Sequence, residues 1–334
     1  MTTFRPSRRT VLFGAAAAGA TAVLPAARSA TAAQEGTPLL LVGDQARERI
    51  LLLDPQQTWD PENNPDCVRW SFTPVGDDRY ADMEPDTKSW KYVSEAKVRT
   101  RGERTYVLTT ASYGFAAVVE YPSGDRYWGG TLSRGTTNHN PHSMELLPDG
   151  NVAVACTNNT DGGIIRLYAA SQSPTSEVYG TATLKSAHGL QWDDEREVLW
   201  ALGDTSLVSY RIGGTAANPT LTLASERELP SVHGHDLTQV SDRPDRLWVT
   251  TGSEVWQYDK TSDTFVKDYP DASTVDRGGV KAVGTDPGTG QVAMTWPDGD
   301  LDPNWWTRSV HLRNPEDTRE LANGGIYKAR WWLP

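Results

Sequence analysis

Asn140-Pro-His-Ser-Met-Glu-Leu-Leu-Pro-Asp-Gly-Asn151, running on into Val152-Ala-Val-Ala-Cys156, is a short apolar strand, a Pro-Asp-Gly turn and a second apolar strand. The same order recurs in His188-Gly-Leu-Gln-Trp192 with Val198-Leu-Trp-Ala-Leu202, and again in His235-Asp-Leu-Thr-Gln-Val240 with Leu247-Trp-Val-Thr-Thr251. Glu95-Ala-Lys-Val98 with Thr105-Tyr-Val-Leu-Thr-Thr110 stands before these units, and Gly279-Val-Lys-Ala-Val283 with Gln291-Val-Ala-Met-Thr-Trp296 after them. The steps from His142 to His188, His188 to His235 and His235 to Gly279 are 46, 47 and 44 residues. A unit of several short strands repeating at about 45 residues is the sequence signature of a β-propeller.

Each unit also supplies a third strand, as in Ala116-Ala-Val-Val-Glu-Tyr121, Gly163-Ile-Ile-Arg-Leu-Tyr168, Leu207-Val-Ser-Tyr-Arg-Ile212, Glu254-Val-Trp-Gln-Tyr258 and Ser309-Val-His-Leu312. The fourth strands are weaker, as outer edges are. Near the N-terminus, Leu39–Gly43, Arg49–Asp54 and Val68–Phe72 read as second, third and fourth strands without a first. Gly325-Ile-Tyr-Lys-Ala-Arg-Trp-Trp332 arrives one period after Gly279 and supplies it. The expected fold is therefore an all-β, six-bladed propeller closed by its N- and C-terminal strands, with seven blades the alternative. The stretch between Trp59 and Trp90 is longer than a blade connection needs, and its parts on either side of the Val68–Phe72 strand, Trp59–Pro65 and Asp77–Trp90, read as a loop inserted over one face. Trp200, Trp248 and Trp296 recur on second strands, where they are expected to pack blade against blade.

Composition agrees with this class. The 334 residues are 37% hydrophobic and 22% charged, with 13 Trp and 2 Cys, which excludes a disordered chain, a disulfide scaffold and a multi-span membrane protein. Residues 1–32 carry Arg8-Arg9, a mild Ala/Gly run to Leu24 and a small-x-small site at Ala30-Thr-Ala32. That arrangement reads as a twin-arginine (Tat) export signal, leaving 33–334 as one secreted propeller domain. Loss of the four arginines in 1–32, with no acid among them, takes the formal charge from −11 to −15. So acidic a surface argues against nucleic acid and against an anionic membrane as partners, and nothing in the chain calls for more than a monomer. Cys67 and Cys156 fall on different blades and are expected to be unpaired, partly buried thiols.

The repeat makes the histidines informative. His142, His188 and His235 occupy one equivalent position, the first residue of the innermost strand, in three consecutive blades. Innermost strands line the channel, so three imidazoles are expected at one level of its mouth, with His139 and His233 close by. Convergent imidazoles are a common way to hold a divalent transition metal. The expected metal set is His142, His188, His235 and Gln191, around a divalent ion such as Mn, Zn or Ca. Glu145 and Asp236 serve either as ligands or as acceptors for ring N–H groups; turn-capping histidines are the plainer alternative. Lys97, Lys281 and Lys328 sit on the innermost strands of the other three blades, and Arg134 in the loop leading to His139. They either cradle a carboxylate at the mouth or pair with acids inside the channel. Trp90, Tyr113, Trp305 and Trp306 are candidates for a sugar-stacking surface.

The segments Ser94-Glu-Ala-Lys97, Thr110-Ala-Ser-Tyr-Gly-Phe-Ala-Ala117 and Asn140–Asn151 resemble a family of exported bacterial propellers that is mostly uncharacterised. More distantly the chain is similar to propeller-fold polysaccharide lyases of the rhamnose–glucuronate and oligogalacturonate types. The latter resemblance implies a metal on several histidines and a glutamine, for which His188, Gln191, His233 and His235 are the matching positions, although those lyases are usually seven-bladed. It implies a metal-assisted lyase acting at a uronic acid: the metal with Arg134 or Lys97 neutralises the carboxylate, and His139 or His233 removes the adjacent proton. The alternative is a non-catalytic propeller that binds carbohydrate or protein, and third comes a lactonase-type hydrolase.

Overall fold

The computed structural model describes residues 38–133, 139–157 and 162–334. The expected export signal and Arg134 lie outside the described residues. Strands β1 (Leu40–Asp44), β2 (Arg49–Leu53) and β3 (Val68–Phe72) open the first sheet. The second holds β4 (Val93–Arg101), β5 (Arg104–Ala111), β6 (Phe115–Tyr121) and β7 (Arg126–Thr131). The third holds β8 (Pro141–Leu146), β9 (Val152–Cys156), β10 (Ile164–Tyr168) and β11 (Tyr179–Thr183). The fourth holds β12 (Gly189–Asp193), β13 (Val198–Leu202), β14 (Ser206–Thr215) and β15 (Asn218–Glu228). The fifth holds β16 (Asp236–Val240), β17 (Arg243–Thr250), β18 (Val255–Asp259) and β19 (Thr264–Val266). The sixth holds β20 (Ala282–Thr285), β21 (Val292–Thr295), β22 (Ser309–Arg313) and β23 (Asp317–Glu320).

The C-terminal β24 (Ile326–Trp331) then pairs antiparallel with β1, matching Leu41 to Arg330 and Val42 to Ala329, and becomes the innermost strand of the first sheet. The result is a six-bladed propeller closed by both ends of the described chain. The innermost strands touch in a ring, β24-β4-β8-β12-β16-β20 and back to β24. Closure removes the unpaired edge that an open array would present.

The second strands β9, VAVAC, and β13, VLWAL, are apolar throughout because each sheet is covered on both faces by its neighbours. Outer strands such as β11 alternate exposed and half-buried residues, and β19 is only three residues long. One hydrophobic cluster fills each of the six blade boundaries. Trp200 and Trp248 are buried in two of them, while Trp296 lies one residue past β21 and is only partly buried, at the edge of the cluster that holds Trp248. Cys67 and Cys156 are free and buried.

The insertion between Trp59 and Trp90 is not a loop over one face. β3 forms as expected, and the part after it holds a 3-10 turn, Asp78–Met83, that packs against β7. Tyr80, Met83 and Trp90 enter the cluster between the first and second blades, with Trp90 edge-on to Phe115 at 4.8 Å. Trp90 is fully buried and donates its indole N–H to the Glu48 carbonyl, so it is no part of a sugar-stacking surface. Its apolar bulk satisfies the blade seam, which local sequence does not reveal. Among the described residues no helix is long and apolar enough to cross a membrane.

Candidate functional site

The sheet register builds the site. The backbone N–H of His188 donates to Leu202 O at 2.8 Å, that of His235 to Thr250 O at 2.9 Å, and that of Lys281 to Thr295 O at 2.8 Å. The three bonds are equivalent, so the position held by imidazole in the fourth and fifth blades is held by an ammonium in the sixth. His142 precedes them in the third blade, inside a register shift between Pro141 and Ser143. The His142 and His188 rings lie 4.5 Å apart and the His188 and His235 rings 4.7 Å apart. Gly189 permits this closeness: a Cβ there would come within 2.6 Å of the Leu237 Cβ and push β12 away from β16.

These groups line a cavity of about 390 Å³ at the channel mouth, together with Tyr327 of β24. Its rim is aromatic. Tyr92 contacts Tyr113 at 5.8 Å and Trp305 at 5.5 Å between ring centroids, and Tyr113 and Trp305 are 47% and 39% exposed. The rim is held in place. Gln45 accepts hydrogen bonds from the indoles of Trp305 and Trp306 while donating to Val93 O at 2.8 Å. Tyr92 has φ 59°, a left-handed conformation uncommon for a bulky residue and kept only where surrounding structure enforces it.

The imidazoles are neutral near pH 7. Burial comes first in depressing all three, and the ammonium charges of Lys328 and Lys281 add to it; His188 falls to about 4, and His142 and His235 well below the ordinary histidine range. The hydrogen bonds select tautomers. A carbonyl only accepts, so His188 donates from Nδ1 to Ser186 O at 3.0 Å and keeps a lone pair on Nε2. An ammonium only donates, so Lys281 occupies the Nε2 lone pair of His235. The Nδ1 atoms of His142 and His235 are buried without a hydrogen-bond partner among the described residues, a costly arrangement. Burial, then Lys328, pull Lys281 down to about 8.

Below the mouth lies a different layer. Arg330 crosses the channel to bind Glu95 of β4 (Nε–Oε1 3.1 Å, Nη2–Oε2 3.1 Å) and Asp236 of β16 (Nη1–Oδ2 and Nη2–Oδ1, both 2.6 Å). Lys328 lies 3.4 Å from Glu95 and 3.2 Å from Asp236. Burial alone would raise both carboxyls, but Arg330 and Lys328 outweigh it and hold them below the usual range. Deeper still, Lys97 donates to Ser143 Oγ at 3.2 Å and Leu190 O at 2.9 Å, and Arg99 binds both oxygens of Glu145 at 2.6 and 2.7 Å.

The lysines expected to act together therefore divide. Lys97 and Lys328 pair with acids inside the channel, whereas Lys281 forms no ion pair among the described residues and faces the cavity. Glu145 and Asp236 serve the channel network and are not ring N–H acceptors. Gln191 lies at the other end, accepting from Arg99 at 3.2 Å and lining a small cavity with Gln239 and Arg330. His233 is exposed and held by Asp204 at 2.9 Å. His139 lies within 2.9 Å of Arg166 in a separate groove between the second and third blades. Glu95, Arg99, Arg330, Tyr92 and Tyr327 were missed by sequence reading. Alternating charge in Glu95-x-Lys97-x-Arg99 and Lys328-x-Arg330 was the available signal, since residues two apart share one side of a strand.

The donor set does not fit the expected divalent metal. Among the described residues no three His, Cys, Asp or Glu side chains are grouped to hold an ion. One of the three imidazoles already has its lone pair on an ammonium, and two lysine charges oppose a cation. The same set suits an anion. Five cations, Lys97, Arg99, Lys281, Lys328 and Arg330, face three carboxylates in and above the channel. In a chain of net charge −11 this local surplus focuses a positive field at the mouth.

The buried neutral imidazoles also set an acid limit to stability. In the unfolded chain a histidine protonates near 6.5, in the fold His188 only near 4, so between these values the unfolded state binds more protons. The stability contributed is complete above about pH 6.5 and is lost as the pH falls towards about 4. The melting temperature is expected to drop across this window, less steeply for His188→Asn than for wild type; equal slopes would show that His188 does not titrate with unfolding.

Residues 32–334 match the model of a family of unknown function, DUF6528, and the chain belongs to that family. No curated protein matches it.

Proposed function

We propose that this member of the DUF6528 family takes a uronic-acid-containing glycan at the channel mouth and cleaves it by β-elimination without a metal. The observation that carries the reading is one cavity holding an acid-free ammonium, Lys281, beside neutral imidazoles under a fixed aromatic rim. A sugar ring stacks on Tyr113 and Trp305, which offer flat, partly exposed faces. Its carboxylate meets Lys281, whose ammonium is bonded to Nε2 of His235. That charge draws electron density from the adjacent C–H, and the Nε2 lone pair of His188 removes the proton. The C–H electron pair becomes the C=C bond, the C–O bond at the neighbouring carbon breaks, and the departing oxygen takes a proton from solvent. Burial is the main reason that the imidazoles stay deprotonated, and lysine repulsion adds to it; arrival of the carboxylate offsets the lysine part and so raises their basicity. With the export signal read from residues 1–32, the reaction takes place outside the cell.

Incubation with galacturonate- and glucuronate-containing oligosaccharides is expected to release products that absorb in the ultraviolet through the new double bond, unchanged by a chelator. Silence across the panel overturns the elimination. Binding without product supports the second reading, a non-catalytic acidic-glycan receptor, which the partly exposed Tyr113 and Trp305 beside Lys281 favour because stacking and charge hold a sugar without turnover.

Lys281 also sets the alkaline limit. Its ammonium is lost as the pH rises through about 8, so affinity for a uronate is expected to be full below that value and to fall above it. A flat binding profile from pH 7 to 10 would exclude Lys281 as the carboxylate partner.

A further inference from the structure

Outside the cavity but on the same face stands a second unpaired cation. Arg277 lies in the connection that leads from β19 into β20, four residues before Lys281. Its guanidinium carbon is 3.7 Å from the ring centroid of Trp296. The indole in turn stacks on His311 at 3.6 Å with an interplanar angle of 6°. Trp296 follows Thr295, the residue whose carbonyl receives the Lys281 N–H, so the platform sits one strand outward from Lys281 at the level of the mouth. Arg277 is exposed and makes no hydrogen bond or ion pair with any described residue. Nearby acids are engaged elsewhere: Asp276 binds Lys267 and the Val255 N–H, and Asp298 binds Thr307 Oγ1 and the Arg308 N–H. Arg313, of the same sign, lies 5.6 Å from the Trp296 ring.

An arginine laid on an indole is partly preorganised, and its N–H edge stays open to grip a carboxylate with two bonds. We infer that Arg277 on Trp296 forms a second carboxylate subsite, so that the ligand is an acidic oligosaccharide running from the mouth along the sixth blade, with one carboxylate on Lys281 and another on Arg277. The inference rests on the reading of the mouth as a uronate site.

Calorimetry with the mono- and trisaccharides of galacturonate and of glucuronate, and with neutral trisaccharides of the same length, tests it. For the uronate series that binds, the trimer is expected to bind wild type about tenfold more tightly than the monomer, the gain of one charged hydrogen-bonding contact. Arg277→Gln is expected to abolish that gain and leave monomer affinity unchanged, while Lys281→Met weakens monomer and trimer alike. A trimer-to-monomer ratio that survives Arg277→Gln overturns the subsite and leaves the mouth standing. An equal gain from the neutral trimer also overturns it, because stacking alone would then account for the length effect. Monomer affinity unaffected by Lys281→Met overturns the mouth itself, and failure of every uronate to bind overturns both.

Discussion

Arg330→Met is expected to lower the free energy of unfolding by roughly 3–5 kcal/mol, the usual consequence of removing one partner from a buried ion network. The four carboxylate oxygens of Glu95 and Asp236 lie within 2.6–3.1 Å of the one guanidinium. Those acids stand on β4 and β16, three places apart in a ring of six innermost strands, so Arg330 ties opposite walls of the channel together. It belongs to the closing strand β24, and its contacts hold the C-terminus in the ring as well as balancing charge. Without it, the two buried acids share Lys328, and only Glu95 has a further cation, Lys97 at 3.8 Å. Methionine keeps most of the apolar stem, which confines the effect to the guanidinium. The deficit should shrink in acid, where protonated Glu95 and Asp236 no longer need a cation, and Glu95→Gln in the same chain should recover part of it. Denaturant unfolding at pH 7 and pH 4 measures both. A deficit under about 1 kcal/mol, typical of solvated ion pairs, would mean that the network is not desolvated.

Lys281→Met is expected to act in the opposite manner, weakening uronate binding by about a hundredfold, within the range for removing a charge partner in a partly desolvated site, while leaving the fold intact. Lys281 has no carboxylate among the described residues, so its loss strands no acid; replacing a largely buried ammonium by an apolar chain relieves a desolvation penalty. Lys97→Met is the control. That lysine is equally cationic and lies in the same channel, but it is committed to Ser143, Leu190 and the neighbouring acids. It should cost stability and leave affinity almost unchanged. If the two variants bind alike, the distinction between mouth and channel lysines has no functional meaning.

The fold was legible because a propeller is a local rule applied repeatedly. Each blade announces itself by apolar runs and turn residues within about 45 residues, and the orphan first strand at Gly325–Trp332 could be matched to its sheet by counting periods. The His142, His188 and His235 register followed from the same arithmetic, since equivalent repeat positions occupy equivalent heights. Trp90 was less legible: an indole in an insertion carries no period, and only the seam between the first and second blades explains its burial.

Repetition in the sequence thus determined the blade count, the closure by β24 and the convergence of three imidazoles. The tertiary structure alone decided which charges are spent and which remain free. Lys97, Lys281 and Lys328 look alike in the repeat, yet an ammonium's role depends on its depth along the channel and on carboxylates brought there by other blades, such as Glu145 beside Lys97 and Glu95 and Asp236 beside Lys328. Gln191 was excluded from the histidine set for a related reason: three residues along an extended strand cover about 10 Å, enough to carry its side chain from one end of the channel to the other. Sequence periodicity encodes height and order along a blade; the electrostatic partner of a group is a property of the closed ring.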